Sequence, residues 1–127
     1  MKILKSSAFI LAIALSTGTA FAGSLGSGKF SGASSHVTKG HVSVSKSGGK
    51  ITVKLGKGFF LDGAPDPYVA LGHGSKPVAG GLIRILKNHK GGQTYSIAAN
   101  KVDVSKVNSV IIWCKKYSVP LGVAKIR

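Results

Sequence analysis

An all-β fold is what this 127-residue sequence predicts: an antiparallel β-sandwich or squashed barrel of about seven or eight short strands. Three observations predict it. Short segments with period-two alternation recur along the chain. Clusters of Gly, Pro, Asn and Ser divide them at close intervals. No long stretch carries the 3.6-residue apolar period of an amphipathic helix.

The first segment, "MKILKSSAFILAIALSTGTAFAGS", reads as a secretory signal over residues 1–22. Lys2 and Lys5 give a positive start, "AFILAIAL" a short apolar core, and Ala20-Phe21-Ala22 a small-x-small cleavage site. The apolar run is well short of the ~20 residues of a spanning helix. The expected address is therefore secreted or periplasmic, with no later transmembrane segment. Residues 23–28 read as a flexible, Gly/Ser-rich lead and residues 29–127 as one domain with a single modest core.

Within that domain "HVSVSK" alternates Val42 and Val44 with serines, and "KITVKL" alternates Ile51, Val53 and Leu55 with polar partners. "SKSGGK" between them predicts a turn and hence a hairpin. "GAPDPYVALGHG" predicts a turn over Ala64 to Pro67 and a strand from Tyr68 to Leu71. "GGLIRILKNHKGG" is ambiguous: Leu82, Ile85 and Leu86 fit helical spacing, whereas β-branching and flanking glycines favour a short strand or one turn. "QTYSIAA" reads as a strand and "VDVSKVNS" as a crossover with one helical turn. "SVIIWCKKY" and "VPLGVAKIR" then form two long strands linked near Ser118. Continuous apolarity from Val110 to Trp113 predicts a central strand covered on both faces.

Charge narrows the chemistry. The chain has 18 Lys and Arg against three acidic residues, Asp62, Asp66 and Asp103, for a net charge of +15. Removal of residues 1–22 takes two lysines away, leaving 16 basic against 3 acidic and +13. A carboxylate-pair hydrolase or a calcium cage needs more converging acids than this chain supplies. The attraction is for anions. Only Lys115 and Lys116 are adjacent, and there are just two arginines. Nucleic-acid binding, which favours clustered Arg with interleaved aromatics, is disfavoured. An anionic cell-envelope component or an acidic redox partner fits better.

Taken in order, "GKFSGASSHVTKGHVSV", "APDPYVALG" and "KGGQTYSIAANKVDVSKVNSVIIWCKKYSVPLGVAKI" resemble the DM-thirteen domain, a family allied to DOMON-type electron-transfer domains. The resemblance spans Gly28 to Ile126, and "IIWC" with its "YSVPLGVA" continuation is the most specific part. Ala64 stands where the family usually has Gly before Pro-Asp, and Pro67 replaces a non-proline, which suggests an edge or a strand start. The resemblance implies an extracytoplasmic β-sandwich with a redox or electron-transfer role and a redox partner protein. It places the family's characteristic cysteine at Cys114, as a naked thiol or as ligand of a prosthetic group such as haem.

Read from the residues, Cys114 admits two accounts. A lone cysteine in an apolar strand is commonly a small buried hydrophobe. In an oxidising compartment, however, an unpaired thiol is a hazard unless shielded or used. Cys114 shares strand parity with Val110 and Ile112, and Trp113 with Ile111. Lys115 and Lys116 follow at once, so the thiol is expected where a buried strand emerges into basic surroundings that favour a thiolate. Asp66 and Tyr68 are the supporting residues expected near it, Asp66 through turn hydrogen bonds and Tyr68 through packing. A metal or haem would draw further ligands from His36, His41 or His73, with His89 in a lysine-rich loop. The expected mature chain has no methionine, and there is no C-x-x-C-H for covalent haem.

Overall fold

The computed structural model describes residues 22–127. The signal expected over residues 1–22 lies, apart from Ala22, outside the described residues. Ten strands run in chain order: β1 Ala22–Gly32, β2 Thr38–Lys39, β3 His41–Ser47, β4 Lys50–Leu55, β5 Phe60–Leu61, β6 Pro67–His73, β7 Lys76–Ile85, β8 Gln93–Ala98, β9 Ser109–Cys114 and β10 Val119–Lys125. Eight form one antiparallel sheet in the order β7-β6-β9-β10-β1-β3-β4-β8, and β2 pairs with β5. No helix of the described residues is long and apolar enough to cross a membrane.

The expected hairpin is β3–β4, with Val44 opposite Val53 and Gly48 in the left-handed region at φ 61°. That conformation suits glycine, which has no Cβ to clash. The ambiguous "GGLIRILKNHKGG" resolves as strand: Gly81 to Ile85 close the ten-residue β7. Brackets of glycine and β-branching outweigh the helical spacing because β6 supplies a hydrogen-bonding edge. "VDVSKVNS" contributes only a 3-10 turn, Val104–Lys106, after an earlier one at Ala99–Lys101. Asp103 caps the second turn by accepting from Ser105 N at 3.0 Å and from Ser105 Oγ at 2.6 Å. These donors hold its carboxyl below the ordinary value.

Residues 23–28, expected as a flexible lead, are instead the first half of β1. Gly23 pairs with Lys46 and Gly28 with Val42. Composition suggested flexibility, but β3 satisfies the backbone and overrides it. From Phe30 onward β1 pairs with β10, so this strand joins the two halves of the sheet. The sheet curls until its edge strands meet at a seam, where Lys87 N donates to the Tyr95 hydroxyl at 2.8 Å. Tyr95 in turn donates to Gln93 Oε1.

Inside the curl lies one core, with Val42, Val44, Val53, Leu55, Val69, Leu71, Val110 and Ile112 among its members. Phe30 and Phe59 meet edge to face, ring centroids 5.6 Å apart. The β2–β5 pair joins this wall through Thr38, whose hydroxyl donates to Leu121 O at 2.8 Å. Nearby Asp62 accepts from Val37 N and pairs with His36 Nδ1, each at 2.9 Å.

The backbone donor from Val37, then the His36 side chain, hold the Asp62 carboxyl below its ordinary value of 3.8. A depressed carboxyl contributes stability above that ordinary value, and loses it as pH falls through the lower folded one. Carboxyl-carbon NMR should therefore give Asp62 a midpoint below 3.8. In His36→Ala it should rise only part of the way back, since the Val37 donor remains.

The two halves of the sheet differ on their outward face. On β3, β4 and β8 the residues alternating with the core are Ser43, Ser45, Thr52, Lys54, Thr94 and Ser96. On the other half, one row runs in register through Ile85, Tyr68, Trp113 and Pro120. A second runs through Leu82, Ala70, Ile111 and Val123. None of these eight belongs to the core cluster or packs against it. The expectation that both faces of β9 are covered thus holds only in part. Ile111 is fully buried, overlying Gly72, yet Trp113 beside it is half-buried and Ile85 is 45 % exposed.

Candidate functional site

Cys114 is the last residue of β9, opposite Val119 of β10 and Pro67 of β6. Its inward parity puts the sulfur in the core wall with Val110 and Ile112, at 1 % exposure. Sγ donates to the Pro65 carbonyl at 3.2 Å. The adjoining backbone bond runs from Lys115 N to Asp66 O at 3.1 Å. Two hydrogen bonds thus staple the Pro65–Asp66 turn to the end of β9. Asp66 adopts φ 56°, in the left-handed region that Asp tolerates better than most residues. Pro67, with no N–H to give to the ladder, begins β6 as expected.

The expected basic surroundings of the sulfur are not there. Successive strand residues face opposite ways, so Lys115 lies on the outward side, with Nζ 5.2 Å from the Tyr68 ring centroid. Lys116 Nζ sits 5.4 Å from the ring of Tyr117. Both ammonium groups meet aromatic faces, a cation–π arrangement. The partner that Sγ meets is the neutral Pro65 carbonyl.

A family model described as Electron transfer DM13 matches residues 29–126. The chain belongs to this electron-transfer family. Membership gives the DM13 domain a general redox role and implies a redox partner. Among curated proteins and among solved structures nothing matches.

Not all of the residues expected around Cys114 of this DM13 domain gather there. Trp113, Lys115 and Tyr68 form one group on the outward face, and Asp66 contributes its carbonyl rather than its carboxylate. The histidines are spread over the molecule. His36 pairs with Asp62, and His41 lines a cleft of about 170 Å³ with Ser27 and Lys54. His73 Nδ1 lies 2.9 Å from Lys106 O beside a cleft of about 460 Å³. His89 lends its carbonyl to Leu61 N. No three His, Cys, Asp or Glu side chains converge among the described residues.

Haem or a metal does not fit at Cys114. Its sulfur is enclosed and already hydrogen-bonded, and neither the His41 cleft nor the His73 cleft is lined by it. What the corner can support is exchange of an electron through a packed wall, since tunnelling, unlike ligation or nucleophilic attack, needs no atomic contact. Sequence reasoning missed the Pro65 carbonyl and the aligned row of Ile85, Tyr68, Trp113 and Pro120. Pro-Asp-Pro marked a turn, but its meeting with β9 comes from a pairing between distant segments.

Proposed function

We propose that this chain is an exported electron-transfer domain that exchanges electrons with a redox partner at the Cys114 corner. The observation that carries the reading is the sulfur's position: sealed at 1 % exposure, one residue from half-buried Trp113 on the opposite face. Burial shields a lone thiol from the oxidants of an exported environment. An oxidised one-electron centre of the partner takes one electron from sulfur. The S–H proton leaves past the Pro65 carbonyl to water, giving a thiyl radical. Return of one electron and one proton restores the thiol. Trp113 supplies a π-system between sulfur and surface.

The test is direct electrochemistry of the purified protein beside Cys114→Ser. Serine keeps a donor for Pro65 O, so the variant is expected to melt cooperatively while losing the one-electron wave. A folded Cys114→Ser protein with the wave unchanged would sink the reading. Thiol reagents should label the native protein at least roughly a hundredfold more slowly than the unfolded one, because access requires opening.

Charge favours a second reading, a non-catalytic module that holds anionic envelope polymers. Among the described residues the only acid–base ion pair is His36–Asp62, which leaves the exposed lysines without carboxylate partners. Its signature is polymer binding that weakens with salt and persists in Cys114→Ser.

A further inference from the structure

We infer that the outward face of β7, β6, β9 and β10 is the docking surface for an acidic redox protein. The inference rests on the electron-transfer reading and locates its partner. The sheet contains its own control. Where antiparallel strands meet water, their outward residues are expected to be polar, and β3, β4 and β8 obey with Ser, Thr and Lys. The other half presents an apolar row in register, exposed Ile85 beside partly exposed Tyr68, Trp113 and Pro120. It is flanked by partly exposed Leu82 and Val123 on either side of the buried Ala70 and Ile111. Contiguous apolar surface of this kind marks an interaction site. Its centre is Tyr68 beside Trp113, aromatic residues of the type that dominate interface cores.

Charge identifies the occupant. Lys115 stands at one end of the outward face of β9, and Lys125, opposite Ser109, stands on the outward face of β10 at the other. Two of the three acids are engaged elsewhere, Asp62 by His36 and Asp103 in capping its turn, and only Asp66, whose carbonyl accepts from Lys115 N, adjoins this face. An apolar centre with a basic rim complements an acidic protein. A second copy of a chain with net charge +15 is repelled. An anionic membrane is a poorer match, because Ala70 and Ile111 lie flush in the sheet and Trp113 is half-buried, with no cluster of projecting apolar side chains to insert. Cys114 lies directly behind Trp113 in the chain and faces the other side of the same strand.

A small acidic flavodoxin serves as the probe, mixed with the full protein at low salt. A carbodiimide that joins amines to carboxylates fixes the complex, and peptide mapping reads which lysines react. With this charge some attraction is assured, so the location of coupling carries the result. Coupling is expected to concentrate at Lys115 and Lys125 over Lys50 and Lys54, exposed lysines of the polar half. Ile85→Ser, at an exposed position that leaves folding intact, should weaken binding roughly tenfold, whereas Lys54→Ala should change it by less than about twofold.

Even coupling over all four lysines overturns the inference, as does full affinity in Ile85→Ser. Cross-linked copies of the chain through this face would instead mean self-association. A blue shift of Trp113 emission, the only tryptophan, with phosphatidylglycerol vesicles and none with flavodoxin would mean a membrane site. Cys114→Ser should couple like the parent protein. Lost docking with intact electron exchange thus refutes this surface alone, and lost exchange with intact docking leaves it standing.

Discussion

Ile112→Ala is expected to destabilise the protein by about 2–5 kcal/mol, with a fall in Tm of roughly 10 °C or more. Ile112 is 0 % exposed at the centre of β9, between Val69 of β6 and Gly122 of β10. Three methyl or methylene carbons disappear where neither neighbour can move in: Val69 is fixed in its own ladder, and Gly122 has no side chain to offer. The loss therefore combines transfer free energy with the cavity left behind. Ile112 shares its face with Cys114 two residues on, so the void opens beside the sulfur. Native-state labelling of Cys114 should accelerate in this variant by more than the stability loss predicts. Calorimetry and thiol-reagent kinetics check the two halves separately. A stability loss below about 1 kcal/mol would contradict the packing described.

Gly28→Ala is the second large effect, at about 3 kcal/mol, and it acts by overlap rather than by a void. At Gly28, β1 is about to pass from β3 to β10, and a Cβ there would overlap the Lys125 carbonyl. That atom is backbone, so no rotamer change relieves the clash, and the β1–β10 junction must separate. Gly48→Ala is the comparison: no atom lies within 4 Å of its Cβ position, and only the left-handed turn conformation is strained. Its loss should stay near 1 kcal/mol. Denaturant unfolding of the two variants gives the difference. Equal losses would mean that the close approach of β1 to β10 is not as described.

Much of the wall was legible in the chain. Alternation in "HVSVSK" and "KITVKL" placed β3 and β4, and the glycines between them placed the hairpin. Parity alone separated Cys114 from Trp113 before any coordinate was known, and it holds. Residues 23–28 were misread because composition records a weak local preference, while strand formation there depends on an edge that β3 supplies from elsewhere in the chain. "GGLIRILKNHKGG" stayed ambiguous for the same reason, and the β6 edge settled it.

The site was legible in its parts and not in its assembly. Cys114, Trp113, Lys115, Tyr68 and Asp66 were all singled out, yet Lys115 and Lys116 were expected to give the sulfur basic surroundings. In a strand the next residue turns to the other side, and Lys115 finds the Tyr68 ring there. The acceptor for the thiol is a carbonyl 49 residues away, which no local pattern encodes.

Sequence by itself determined the charge, the single thiol, the strand alternation and the side of β9 on which each residue falls, because these are properties of neighbours along one chain. Only the tertiary structure decided that the sulfur is sealed, that Pro65 receives its hydrogen, and that the outward row of Ile85, Tyr68, Trp113 and Pro120 stays partly open while Ile111 is buried. Covering a face, or leaving it open, depends on which distant strands meet, and the period of a strand records two sides without recording what lies against either.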